Sequence, residues 1–162
     1  MKQFSNYIFE KLQISRHKEI VKPAYGIRYY LDGVSVELID NIKNTFTHKN
    51  DTYKYFNVIS DGNIIGILEQ NIGAYIVLIV SEKSFENIFG KPYKDNGSDD
   101  YPDLPHRIES AIIEATKIEN LPAGAGITVP SQFAKDKLDY NPDLYNEPEF
   151  QELLEYIKTT LE

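Results

Sequence analysis

The chain has 162 residues, of which 41% are hydrophobic and 12% aromatic, and its net charge is −8. That length fits one domain, and a domain of about 150 residues buries roughly 70% of the surface its unfolded chain exposes, enough for a true core. There is no Cys, which excludes disulfides, thiolate metal sites and cysteine nucleophiles and fits a reducing compartment.

Residues 3–14 read as an amphipathic helix, because Phe4, Tyr7, Ile8 and Leu12 follow the i, i+3, i+4, i+8 spacing of one helical face. Residues 15–25 are polar, contain Pro23 and read as a linker. The spacing therefore divides the chain into an N-terminal helix and linker over 1–22 and one globular α+β domain over 23–162. In that domain Ile27–Leu31 and Val34–Leu38 flank Asp32-Gly33, and an Asp-Gly pair between apolar runs signals a hairpin. Ile39–Phe46 reads either as a short helix or as an extension of the second strand. Tyr53–Ile59 and Ile64–Glu69 flank Asp61-Gly62-Asn63, a second hairpin. Asn71–Gly73 then turns into Ala74–Val80, apolar throughout and thus a central strand. Together these predict an antiparallel sheet of about five strands.

Ser81 suits the N-cap of a short helix that ends at Phe89, before Gly90, with Glu82 in its first turn. Residues 91–105 hold three Pro and four Asp and read as a long exposed loop. His106–Glu119 reads as a helix with Ile108, Ile112, Ile113 and Ala115 inward, and Leu121–Pro130 as a loop or short strand. Phe133–Leu138 makes one or two helical turns. Asn146 is the expected N-cap of a last helix, with Pro148 in its first turn and Phe150, Leu153, Leu154, Ile157 and Leu161 as its apolar stripe.

Charge is unevenly spread. Residues 1–22 carry five Lys/Arg against two Glu, a net of +3, whereas residues 139–162 carry seven Asp/Glu against Lys158, a net of −6. Phosphate neutralisation drives most nucleic-acid affinity, so no nucleic-acid partner is expected of so acidic a domain. The basic head suits an acidic protein surface, or simply solvation. No apolar run approaches the ~20 residues that span a bilayer, and the longest, Ala74–Val80, is strand length. No secretory apolar stretch follows Met1. The expected location is cytoplasmic at synthesis, with no membrane partner.

Few residues suggest chemistry. His17, His48 and His106 fall on a linker, a loop and a helix start without metal-ligand spacing. Asp95-Asn96-Gly97-Ser98-Asp99-Asp100 has the composition of a cation loop, but an EF-hand needs Gly at its sixth position and here Gly arrives at the third. Gly124-Ala125-Gly126 lacks the GK[ST] or third Gly of a phosphate loop, and no Ser stands in a G-x-S-x-G context. Tyr25, Tyr29, Tyr30, Tyr53, Tyr55 and Phe56 fall on the expected strands, where they serve core packing, a protein interface or base stacking. With so few cations among them, packing is the better reading.

The segment MKQFSNYIFE resembles the capsid-targeting leader of internal head proteins of T-even-type tailed phages, on Met1, Lys2, Phe4, Tyr7, Ile8 and Glu10. The resemblance covers ten of 162 residues. It implies targeting through Lys2, Phe4, Tyr7, Ile8 and Glu10, and cleavage by a prohead protease after an (Ile/Leu)-x-Glu motif. Ile8-Phe9-Glu10 would be that motif, cut before Lys11, although Phe9 stands where the family has a small residue. Ile67-Leu68-Glu69 and Leu153-Leu154-Glu155 fit the same motif inside expected regular structure. A short amphipathic helix on a polar tether is also suited to docking in a groove of a helical scaffold.

The resulting expectation is a phage virion protein: cargo of the capsid interior that binds a scaffold, another virion protein or a host target. No cofactor, metal or catalysis is expected. The alternatives are a structural head or connector subunit, a soluble binding or inhibitor module unrelated to virions, and a small enzyme whose site assembles only in three dimensions. For the last, Asp103, His106 and Glu109 are the participants the sequence offers.

Overall fold

A computed structural model describes residues 34–72, 75–90, 92–93 and 125–162. The expected N-terminal helix and linker, the strand Ile27–Leu31, the loop after residue 93 and the helix His106–Glu119 lie outside the described residues.

The central element is a mixed six-stranded sheet among the described residues. Its strands are β1 (Val34–Leu38), β2 (Thr45–His48), β3 (Asp51–Ser60), β4 (Asn63–Asn71), β5 (Tyr75–Ile79) and β6 (Ala125–Thr128), in the order β1-β3-β4-β5-β6, with β2 also on β3. Asp61 and Gly62 join β3 to β4 with φ of 51° and 78°, as a two-residue turn that matches strand twist requires. The hairpin expected there is present.

β1 and β2 share one edge of β3, where Val34–Leu38 pairs with Ser60 through Phe56 and Thr45–His48 with Lys54 through Asp51. Between them Ile39–Phe46 neither forms a helix nor extends β1 without interruption. Ile39 N–H donates to Tyr55 O and Tyr55 N–H donates to Asn44 O, at 3.2 and 2.9 Å. Both ends of the excursion thus pair with one residue. The Asn44 side-chain amide closes the loop by donating to Ile39 O at 2.6 Å, and Phe46 resumes pairing in β2.

The sheet is not purely antiparallel, which corrects the sequence expectation. β6 runs parallel to β5, Ile76 through Ile79 pairing with Ala125 through Thr128. Parallel neighbours require a long crossover, and the chain between β5 and β6 supplies it, carrying helix α1 (Glu82–Phe89). Of the run Gly124-Ala125-Gly126, the last two residues belong to a strand, with Gly126 opposite Val77, and form no phosphate loop. Ser81 caps α1 through its Oγ, which accepts from Ser84 N–H at 3.0 Å, and Gly90 ends it at φ 74°.

Helix α2 (Pro130–Tyr140) runs about three turns, longer than expected, then passes through a 3-10 turn (Pro142–Asn146) into α3 (Pro148–Leu161). Glu147, not Asn146, is the N-cap of α3. The residue before a proline is driven to extended backbone, and Glu147, at φ −87° and ψ 120°, takes the non-helical cap position while Asn146 closes the 3-10 turn.

Helices cover both faces. On one, Val58, Leu68, Ile76, Leu78 and Ile127 pack with Phe85 and Ile88 of α1. On the other, Phe46, Tyr53, Tyr55, Ile67, Val77 and Ile79 meet Phe133 of α2, Leu144 of the 3-10 turn and Phe150, Leu153 and Ile157 of α3. The register shifts at Val58/Ile59, so β4 presents one extra residue there, and Ile64 and Ile65 go to opposite cores.

Candidate functional site

The second face holds a buried polar cluster. Period-two alternation puts Tyr53 and Tyr55 of β3 on the same side as Glu69 and Asn71 of β4 and Tyr75 of β5. Register then aligns them: Tyr55 is opposite Glu69, Tyr53 is opposite Asn71, and Asn71 is opposite Tyr75. Glu69 is only 1% exposed. Its Oε2 accepts from the Tyr55 hydroxyl at 2.5 Å and its Oε1 from the Tyr75 hydroxyl at 3.1 Å.

The matching cation comes from α2. Phe133, Lys137 and Asn141 recur every four residues and so project from one side of the helix and its end. Lys137 Nζ lies 2.9 Å from Glu69 Oε2, 3.3 Å from the Tyr75 hydroxyl and 3.8 Å from the Tyr53 ring centroid. The ammonium is thus neutralised by a carboxylate and flanked by an aromatic face, which attracts cations most strongly when desolvated. Asn141 Nδ2 donates to the Tyr53 hydroxyl at 2.8 Å, and Asn141 N–H to Lys137 O.

These surroundings hold the phenols neutral. Burial, then the neighbouring Glu69 carboxylate, keeps Tyr55 well above its ordinary range. Burial pushes Tyr53 up to about 12 against the opposing effect of the Asn141 hydrogen bond, with the charges of Asp51 and Glu69 adding to it. A neutral Tyr55 can donate to Glu69, so the cluster is an ion pair clamped by phenol hydrogen bonds. It ties β3, β4 and β5 to α2, and both carboxylate oxygens have internal partners. Farther toward the N-terminus of α2, Thr128 Oγ1 and Gln132 Oε1 are buried without hydrogen-bond partners among the described residues.

Of the residues singled out from sequence, Lys2, Phe4, Tyr7, Ile8, Glu10 and Lys11 lie outside the described residues, as do His17, His106, Asp103, Glu109, the 95–100 loop and Tyr25, Tyr29 and Tyr30. His48 ends β2, with Nε2 3.7 Å from the exposed Asp143 carboxylate on the 3-10 turn. Tyr53 and Tyr55 are fully buried and so cannot stack bases. Ile67-Leu68-Glu69 lies within β4 and Leu153-Leu154-Glu155 within α3. The sequence reading missed Glu69, Lys137 and Asn141. The available signal was Glu69 at the end of an apolar strand, opposite a tyrosine.

Among the described residues, no helix is long and apolar enough to cross a membrane, and no group of three or more His, Asp or Glu could hold a metal ion. Fold and cluster define a small α+β protein with helices on both faces of a mixed sheet. No family model, curated protein or solved structure matches the chain.

Proposed function

We propose that the chain is a phage virion protein, directed to the capsid interior by its N-terminal segment and acting there or beyond as packaged cargo that binds another protein. The observation that carries this reading is the pattern Met1, Lys2, Phe4, Tyr7, Ile8 and Glu10, which resembles the leader of internal head proteins. The globular part fits a binding role. The buried Glu69, Lys137 and Asn141 hold α2 on the sheet. Its outer surface is acidic, with Glu149, Glu152, Glu155 and Glu162 exposed on and just after α3. Such a surface repels packaged DNA and favours a basic protein partner.

Deleting residues 1–14 tests this directly. The truncated chain is expected to keep its cooperative melting profile and to be lost from particles assembled in infected cells. Undiminished packaging of the truncated chain would overturn the reading.

A further inference from the structure

We propose that Glu69, Tyr75 and Tyr53 form a binding site selective for primary ammonium groups, which the chain fills from within through Lys137. The acceptors belong to the sheet and the cation to a helix. Strand register sets Glu69 on β4, Tyr75 on β5 and Tyr53 on β3, whereas Lys137 reaches them from α2 on its flexible aliphatic stem. The acceptors are also held by bonds that do not involve the lysine. The hydroxyls of Tyr75 and Tyr55 donate to Glu69 Oε1 and Oε2, and Asn141 Nδ2 donates to the Tyr53 hydroxyl. Their convergence on one point is therefore built without the lysine, which is the occupant that meets it.

That point suits N–H donors. A primary ammonium carries three, and three acceptors surround Nζ: Glu69 Oε2 at 2.9 Å, the Tyr75 hydroxyl oxygen at 3.3 Å and the face of Tyr53, its centroid at 3.8 Å. The rings of Phe133 and Tyr75, with centroids at 5.8 and 5.9 Å, complete an aromatic surround. Aromatic cages alone favour quaternary ammonium ions. Here a carboxylate and a hydroxyl at hydrogen-bond distance demand N–H donors, which a quaternary ion lacks. Space acts in the same direction. Glu69 and Lys137 are 1% and 4% exposed, and close packing leaves no room for methyl groups around the nitrogen.

Lys137→Ala removes Cγ, Cδ, Cε and Nζ, the heavy atoms of n-propylammonium, and leaves the acceptors in place. A ligand that binds only the folded chain stabilises it by mass action. Urea unfolding of this full-length variant tests the site. In about 100 mM n-propylammonium chloride its folding equilibrium constant is expected to be about tenfold higher than in equal sodium chloride. Tetramethylammonium chloride is expected to give no such gain, and the wild-type chain no response. Because the sequence has no Cys, a second measurement does not depend on that variant folding. Lys137→Cys is alkylated while unfolded to give the S-aminoethyl, S-propyl or S-trimethylammonioethyl side chain, and is then refolded. The aminoethyl form is expected to recover the wild-type urea midpoint, and the other two to fall below it. A folded Lys137→Ala chain that n-propylammonium stabilises no more than tetramethylammonium would overturn the proposal. So would aminoethyl and trimethylammonioethyl forms with the same midpoint.

Discussion

Lys137 is 4% exposed while its neighbour Leu138 is 45% exposed, the reverse of what hydropathy favours. The reason is positional: Phe133, four residues earlier, sets the inward face of α2, and Lys137 follows on that face opposite Glu69. No local pattern distinguishes Lys137 from Lys135, so the pair was not legible before the register of β3, β4 and β5 placed Glu69. Removing one partner of a buried pair strands the other, and Lys137→Ala is expected to cost about 3–5 kcal/mol in urea unfolding. Joint replacement by Met is expected to recover most of that loss. Tyr53 provides a second test. Its folded phenol titrates at about 12, above the ~10 of an unfolded tyrosine. The folded state therefore retains a proton that the unfolded state releases between those values. Stability is intact below about pH 10 and falls as pH rises toward 12. Tyr53→Phe is expected to flatten that alkaline decline by about one proton, measured as the pH dependence of unfolding free energy.

At the level of elements, local chemistry was the most legible. Asp61-Gly62 announces its hairpin because both positions need positive φ, and Ser81 with Gly90 brackets α1 because cap and stop residues act within one turn. Gly62 sits at φ 78° with open space where a Cβ would stand, so Gly62→Ala is expected to cost about 1 kcal/mol through backbone conformation alone. Ser81→Ala, which removes the capping hydroxyl, is expected to cost about 1 kcal/mol as well. Thermal unfolding checks both. Elements fixed by distant partners were less legible. β6 is four residues long and Gly-containing, and it becomes a strand because β5 offers a parallel edge and Val80 N–H bonds Thr128 O at 3.0 Å. The excursion after β1 depends on Tyr55, eleven residues beyond Asn44. Asn146 has the chemistry of a cap, but Pro148 moves the cap to Glu147.

For the whole molecule, the α+β class followed from the alternation of strand-length runs with helical stripes. The mixed character of the sheet did not, because strand direction is a property of the crossover rather than of either strand. The fold bears on function by what it commits inward. The ionic cluster unites three strands and a helix, and α3 turns its carboxylates outward. An outer surface of that kind is suited to a protein partner, and the basic N-terminal segment, with net charge +3, is suited to a different, acidic one. The proposed role requires this segment to deliver the domain to a capsid. Mass spectrometry of purified virions of any phage that encodes the chain tests the proposal, by searching for the chain and its first residue. The chain is expected inside the particle, with a terminal peptide that begins at Lys11. Virions that lack the chain altogether would contradict it.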